Sequence, residues 1–391
     1  ALDEGNVDDL ADKLGVTSRH LRRLFTRHLG ASPLAVAHTQ RLHFAKTLID
    51  QTSLPMRDIA VASGFGSTRR FNDTFRKTYG RTPRELRRSR EMEVVESAFS
   101  VQLAYRKPFD WPALLEFFSG RATPGVEQVR RDRYLRTIAI GDECGIIDVH
   151  DIGDKLQLKL HGIATTSLVA VVQRVRSLFD LDAPISDVHA VLDRDARLKK
   201  LLKACPGIRV PGAWDGFELT VRAIIGQQVS VKAATTLAGR IANRYGPKID
   251  VSVHGMQRVP DRLFPKPEML RRARLESLGI IGSRARTIRA VARATSDGEL
   301  RFDAAQDPKL FTEVLKSIPG IGDWTAQYAA MRALKNPDAF PAADLGLLRA
   351  FDEKGRERIK PAELLRRSEA WRPWRAYAAL LIWGSAAGAG G

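Results

Sequence analysis

The run Lys316-Ser317-Ile318-Pro319-Gly320-Ile321-Gly322-Asp323-Trp324-Thr325-Ala326 constrains this chain most, because a Pro-Gly-x-Gly turn between two apolar-patterned helices forces a tight hairpin. Glycine lets the backbone turn sharply and brings N–H groups against an anion with no Cβ to hold it off. The first turn of the following helix adds the positive end of its dipole, so a nucleic-acid phosphate is the natural ligand. Asp344 follows, just after the Phe340-Pro341 break and before the apolar pattern Leu345, Leu347, Leu348. It reads as a helix N-cap or as a reactive carboxylate, and the two roles are compatible, because a helix N-terminus keeps an acid ionised.

Charge agrees with a polyanionic partner. The 391 residues carry a formal net charge of +18, with the basic residues spread along the chain. Such a field attracts DNA, RNA or anionic lipid without distinguishing them. No apolar run reaches the roughly 18 residues of a membrane span, so no membrane partner is expected. Cys144 and Cys205 lie in unrelated contexts with no metal-ligand spacing, which suits a reducing cytoplasm without structural disulfides. The first residues lack a Met and enter a helix pattern almost at once, as a piece of a longer protein would.

Residues 1–90 read as helical and internally repeated. Val7, Leu10, Ala11 and Leu14 mark one helix, and Gly15-Val16 supplies a turn. Thr17 then caps a helix through Leu21, Leu24, Phe25 and Leu29 that ends at Gly30. The pattern returns with Ile59, Ala60 and Ala62, the Gly64-Phe65 turn, Ser67 as cap, Phe71, Phe75 and Gly80, joined to the first unit by a helix with Leu42, Ala45 and Leu48. Two helix-turn-helix units in register predict a DNA-reading module. The exposed donors are Arg19, Arg22 and Arg23 in the first unit, and Arg69, Arg70, Asn72 and Arg76 in the second. Residues 91–97 read as a linker. A β-α-β-β-β-α order over 98–180, with strands near 99–105, 134–140, 144–149 and 155–161, predicts a small α+β scaffold without a catalytic constellation. From 181 to 384 every strong pattern is helical, Pro373 opens a final apolar helix, and 385–391 read as a small-residue tail.

Residues 1–90 resemble the AraC/XylS-type DNA-binding domain, through Gly64-Phe65-Gly66-Ser67, Phe71, Phe75 and Tyr79-Gly80-Arg81-Thr82-Pro83. The hairpin resembles the helix–hairpin–helix motif of base-excision DNA glycosylases. From about Phe99 to Trp383 the chain is similar to AlkA-type DNA-3-methyladenine glycosylases. The runs that carry this are Tyr105-Arg106-Lys107-Pro108-Phe109-Asp110-Trp111, Ala223-Ile224-Ile225-Gly226-Gln227-Gln228-Val229-Ser230-Val231, the hairpin itself, and Trp371-Arg372-Pro373-Trp374-Arg375 with Leu381-Ile382-Trp383. The resemblance implies a mainly α, multidomain chain: an AraC-like double helix-turn-helix domain, a small α+β domain like half of a TBP fold, and an all-α glycosylase domain.

It also implies a chemistry. Asp344 would be the catalytic acid, stabilising the positive charge that builds on the sugar as an N-glycosidic bond breaks. Trp324, Tyr328 and Trp383, with Phe117 from the smaller domain, would wall a pocket for a flipped alkylated purine, where cation–π contact favours a charged base. Taken singly, each of these aromatics also fits core packing, as Trp371 and Trp374 do. Pro319, Gly320, Ile321, Gly322 and Thr325 would grip DNA, and the backbone carbonyls of Lys316, Ile318 and Ile321 would hold Na+ or K+, with no other cofactor required. Members often carry a bulky apolar wedge after the Gly-Gln pair; here Gln228 stands there and Val229 follows, so either residue could insert. Bifunctional relatives have a lysine at the place of Trp324, so strand cleavage is not expected, and the four-cysteine iron–sulfur signature is missing. The domain order resembles fusion proteins of the bacterial adaptive response, whose upstream methyl-accepting cysteine cluster this sequence lacks. Expected partners are damaged and promoter DNA and RNA polymerase, for a monomer associated with the nucleoid. The alternative is a transcription regulator or damage-binding protein whose glycosylase half is an inactive scaffold.

Overall fold

The computed structural model describes residues 7–52, 54–87, 99–251, 256–303, 306–351 and 359–388. The expected linker 91–97 and the end of the expected tail lie outside these residues. The chain divides into two compact units: Ala1–Leu103 with Ile140–Glu143 and Gln157–Val172, and Ala104–Ala139 with Cys144–Leu156 and Gln173–Gly391.

The first unit holds the repeated helices. α1 (Val7–Lys13) and α2 (Ser18–Leu29) meet at a turn where Gly15 has φ 64. Thr17 caps α2 by accepting the His20 N–H, and Gly30 closes it in the left-handed conformation. α3 (Pro33–Gln51) leads to α4 (Met56–Ala62) and α5 (Thr68–Tyr79), where Ser67 accepts the Arg70 N–H and Gly80 closes the helix with φ 70. α6 (Pro83–Arg87) follows. Leu10, Ala11 and Leu21 form the first small core, and Ile59, Ala60, Phe65, Phe71 and Phe75 the second. With those apolar faces turned inward, Arg19, Arg22, Arg23, Arg69, Arg70, Asn72 and Arg76 are all exposed.

A five-stranded sheet has the order β1-β5-β4-β3-β2, from β1 (Phe99–Ala104), β2 (Glu127–Arg130), β3 (Arg133–Ile140), β4 (Glu143–Asp151) and β5 (Lys155–His161). β5 alternates buried Leu156, Leu158 and Leu160 with half-exposed partners, as a period of two requires. The sequence reading lacked β2. Its four residues, Glu-Gln-Val-Arg, contain one aliphatic side chain, and antiparallel pairing with β3 rather than hydrophobic alternation makes them a strand. α7 (Trp111–Ser119) follows β1, with Asp110 capping it through the Ala113 N–H. α8 (Leu168–Leu178) follows β5.

The remaining elements are helices: α9 (Ile185–Leu192), α10 (Ala196–Ala204), α11 (Gly216–Gly226), α12 (Val231–Tyr245), α13 (Pro267–Leu270), α14 (Gly282–Ser296), α15 (Pro308–Ser317), α16 (Asp323–Arg332), α17 (Leu345–Ala350), α18 (Pro361–Ser368) and α19 (Arg375–Gly388). One apolar core joins them, from Val188 and Leu192 through Ile224, Ile288 and Phe311 to Trp371 and Ile382. α19 departs from expectation at both ends. It begins at Arg375 rather than at Pro373, and the backbone around that start is engaged outside the helix, the Trp374 N–H on the Trp371 carbonyl (2.8 Å) and the Ala376 N–H on the Pro337 carbonyl (2.9 Å). It also runs to Gly388, four residues into the segment read as a tail, because small residues do not by themselves stop a helix already nucleated by packing. No helix among the described residues is long and apolar enough to cross a membrane.

Candidate active site and the adjoining hairpin

α15 and α16 flank the hairpin. Gly320 sits at φ 92, where any side chain is strained, and a Cβ there would lie 2.1 Å from Thr287 Oγ1. That close approach lets Thr287 donate to the Pro319 carbonyl (2.9 Å), which fixes the hairpin on α14. Pro319, Gly320 and Gly322 are exposed, while Ile321 and Thr325 are buried. α16 has Gly322 as N-cap with no side-chain cap, so its first N–H groups stay available to an anion. The Thr325 hydroxyl accepts a hydrogen bond from Gln227 Nε2 (3.1 Å). The same amide reaches the Gly320 carbonyl (3.1 Å), and Arg284 donates to the Gln227 carbonyl. The loop after α11 is therefore tied to the hairpin. At its tip Gln228 is exposed with φ 55, and Val229 is half-buried.

Behind the hairpin lies a cavity of about 480 Å³, lined by Phe117, Arg121, Leu219, Arg222, Ala223, Gly226, Val229, Val231, Ala234, Thr235, Trp324, Tyr328, Arg332, Asp344, Gly346 and Trp383. The expected acid and all four expected aromatics meet there, although they come from α7, α16, the start of α17 and α19. Trp324 and Tyr328, one turn apart on α16, stack with ring centroids 5.2 Å apart and planes 9° from parallel. Trp383 leans on Tyr328 at 6.3 Å and 59°. The Asp344 carboxylate caps α17 through the Leu347 N–H (2.9 Å) and accepts the indole N–H of Trp324 (2.7 Å) and of Trp383 (2.8 Å). Its N-cap position is thus a fact of the fold, alongside its place on the cavity wall. Trp371 is buried in the core, as expected of a packing residue.

Sequence reasoning missed a wall of guanidiniums. Arg332 spends its donors on the Pro211 carbonyl (2.8 Å), the Gly212 carbonyl (2.9 Å) and the Tyr328 hydroxyl (2.6 Å). Arg121 lies 4.0 Å from the Phe117 ring centroid, and Arg332 lies 4.9 Å from it. Burial by itself would raise the Tyr328 phenol, but the Arg332 and Arg121 charges, the Arg332 hydrogen bond and Arg222 outweigh it and hold the phenol below its ordinary range. Arg222 is fixed by Glu127 (3.0 Å) and Thr123 (2.6 Å) and reaches the Arg121 carbonyl. Glu127 also accepts from Arg136 (2.8 Å) and Tyr134 (2.5 Å), while Arg136 bonds Glu218. Burial opposes ionisation of Glu127, yet Arg136 and Arg222 prevail and bring its carboxyl down to about 2. Glu218 moves the other way, raised chiefly by burial. The stretch 98–180 is therefore more than a neutral scaffold, since Phe117 and Arg121 wall the cavity and Glu127 anchors the wall. Arg332 had a local signal, its place one turn after Tyr328; Arg121, Arg222 and Gly346 had none.

No lysine is among the residues lining the cavity, and the described residues hold no group of three His, Cys, Asp or Glu able to bind a metal.

Comparison with known proteins agrees with this geometry. The AlkA N-terminal domain profile matches residues 100–215, a helix-turn-helix domain profile matches 10–89, and the HhH-GPD superfamily base excision DNA repair protein profile matches 221–376. A Mycobacterium tuberculosis protein named "probable bifunctional transcriptional activator/DNA repair enzyme AlkA" is 38% identical over 388 residues, covering 98% of this chain and 77% of that protein. The Escherichia coli K12 protein named "DNA-3-methyladenine glycosylase 2" is 34% identical over 291 residues, covering 72% of this chain and 95% of that protein. The fold is similar to that of a 3-methyladenine DNA-glycosylase from Archaeoglobus fulgidus, with a TM-score of 0.64, 22% identity, and coverage of 74% of this chain and 98% of that one. With its hairpin, its carboxylate-bearing cavity and these matches, the chain belongs to the AlkA-type DNA-3-methyladenine glycosylases and carries an AraC-type helix-turn-helix domain.

Proposed function

We propose that this glycosylase releases alkylated purines of the 3-methyladenine and 7-methylguanine type from duplex DNA by hydrolysis, with Asp344 as the catalytic carboxylate. One observation carries the reading: a single ionisable acid lines an aromatic cavity of about 480 Å³ beside a hairpin suited to phosphate. That volume lies within the roughly 300–1,000 Å³ of small-ligand sites. The hairpin and the first turn of α16 grip backbone phosphate while the target nucleotide leaves the stack, at a cost of a few kcal/mol. Trp324, Tyr328 and Trp383 receive the base, and an alkylpurine that is already cationic gains from their faces. Arg222 and Arg332 have donors bonded to Glu127, to carbonyls and to Tyr328, so they brace the wall rather than meet the base.

Leaving takes place with the bonding electrons going to the base, which a cationic purine accepts without prior protonation. Asp344 stabilises the charge left on the sugar. With no lysine on the cavity wall, hydrolysis without strand cleavage is the expected outcome. Gln228 at the loop tip, backed by Val229, fills the space left in the duplex. The carbonyls of Lys316, Ile318 and Ile321 are hard oxygen donors that fit Na+ or K+; that of Ile318 already accepts the Ile321 N–H (3.1 Å) and has a second lone pair to offer. The helix-turn-helix units read promoter DNA through Arg19, Arg22, Arg23, Arg69, Asn72 and Arg76 and engage RNA polymerase in an adaptive response, the protein acting as a monomer.

The test is release of 3-methyladenine from alkylated duplex. Asp344→Asn should slow it by at least about 100-fold while largely preserving affinity for the duplex. Release at the wild-type rate would refute the assignment. A wild-type protein that binds damage without releasing base would instead make the domain an inactive scaffold.

A further inference from the structure

The Asp344 carboxylate is held by three neutral donors from three separate elements. Oδ1 accepts the Leu347 N–H of α17 (2.9 Å) and the Trp383 indole of α19 (2.8 Å); Oδ2 accepts the Trp324 indole of α16 (2.7 Å). An ionised carboxylate offers about four lone-pair sites, two on each oxygen. Both sites of Oδ1 are taken, whereas Oδ2 keeps one that meets no donor among the described residues. Neutral donors fix the plane of the group without cancelling its charge, as a guanidinium in their place would.

Gly346 makes this arrangement possible. Its φ is ordinary, so the turn does not call for glycine, yet a Cβ there would lie 2.9 Å from Asp344 Oδ1 and 3.4 Å from the Trp383 ring. A methyl group would push on both partners of the same hydrogen bond.

We propose that Trp324 and Trp383 are positioning residues through their indole N–H edges, that Gly346 is a positioning residue by leaving space for the Trp383 bond, and that Asp344 Oδ2 is the oxygen presented to the reacting sugar carbon. The inference rests on the reading of Asp344 given above. Each tryptophan then has two separable jobs, its face lining the base pocket and its edge aiming the carboxylate. In the reaction the C1′–N bond breaks with its electron pair passing to the cationic base, which departs neutral. A water oxygen bonds C1′, and the proton that water sheds passes through the open lone pair of Oδ2 to solvent. Displacing Oδ2 costs rate without costing affinity, since the contacts that hold the DNA are elsewhere.

The experiment compares Trp324→Phe, Trp383→Phe, Gly346→Ala and the double variant Trp383→Phe/Gly346→Ala in the full chain. Phenylalanine keeps an aromatic face and removes the N–H. Single-turnover release is measured on duplexes with a cationic or a neutral lesion, affinity on a duplex with a tetrahydrofuran abasic analogue, and folding by thermal melts. Each single variant should lose on the order of 10- to 100-fold in single-turnover rate. Affinity should stay within about twofold, and the rate should fall on the neutral lesion as well as on the cationic one, which a weakened cation–π face alone would not produce. The double variant should be no slower than the slower single one, because both changes break one bond. Wild-type rates in the two Phe variants, or losses in affinity and base preference in place of rate, would overturn the positioning role. So would fully additive losses in the double variant for the part assigned to Gly346. An inactive Asp344→Asn beside fully active Phe variants would sink this inference alone; an active Asp344→Asn would remove the reading beneath it.

Discussion

Arginine does opposite work in two regions of this molecule. On α2 and α5 it stands exposed at Arg19, Arg22, Arg23, Arg69, Arg70 and Arg76. At the cavity Arg222 and Arg332 are pinned by Glu127, by carbonyls and by Tyr328, and Arg121 lies against Phe117. An exposed guanidinium contributes a field that salt screens and that phosphate can displace from water. A pinned one has lost its hydration, so it needs fixed partners, and in return it holds shape. The net charge of +18 signals a polyanionic partner, but it does not separate the exposed arginines from those that build the pocket.

Three changes would break or sharpen this contrast. The largest effect is expected at Glu127→Gln, which leaves buried Arg136 and half-buried Arg222 beside a neutral group. Loss of one partner from a buried ion pair costs about 3–5 kcal/mol, to be read from urea unfolding. The same carboxyl gives the pH dependence a sign. Because folding lowers it to about 2, its contribution is present above the ordinary carboxylate range and disappears as pH falls toward that value. Wild-type unfolding midpoints should fall through that acidic window more steeply than those of Glu127→Gln; parallel curves would mean that Glu127 does not carry the wall.

A smaller effect is expected at Gly320→Ala. Strain at φ 92 and the contact with Thr287 would displace the hairpin, with a backbone penalty of about 1–3 kcal/mol. Affinity for an abasic-analogue duplex should drop about tenfold. Unchanged affinity in an anisotropy titration would detach the hairpin from DNA binding. The smallest effect belongs to the exposed class. Arg22→Ala should lower the slope of log affinity against log salt by up to about 0.9 on operator-like DNA, with base release untouched. An unchanged slope would mean that Arg22 meets no phosphate.

Much of this was legible in the primary structure, and for local reasons. Thr17 and Ser67 cap their helices and Gly30 and Gly80 end them because capping and left-handed backbone are decided by the residue itself. The Pro-Gly-x-Gly hairpin is legible for the same reason, and Trp324 and Tyr328 share a face because helical spacing puts them there. The misreadings at β2 and at the start of α19 depend on partners outside the misread segment. β2 exists through pairing with β3, and the backbone at the start of α19 is held by the Trp371 and Pro337 carbonyls. Gly346 looks like any helix-start glycine until Trp383 arrives from the C-terminal helix.

The linear order of residues thus determined the repeated helix-turn-helix units, the phosphate-suited hairpin and the acid that follows it. Each of these depends on backbone conformations set within a few positions. Only the tertiary structure decided that Arg121, Arg222 and Gly346 share a cavity with Asp344 and Trp383, and that two indole N–H groups bond the carboxylate. Such contacts join groups far apart along the chain. Their energy comes from desolvation and packing once the elements have docked, and no local pattern encodes it.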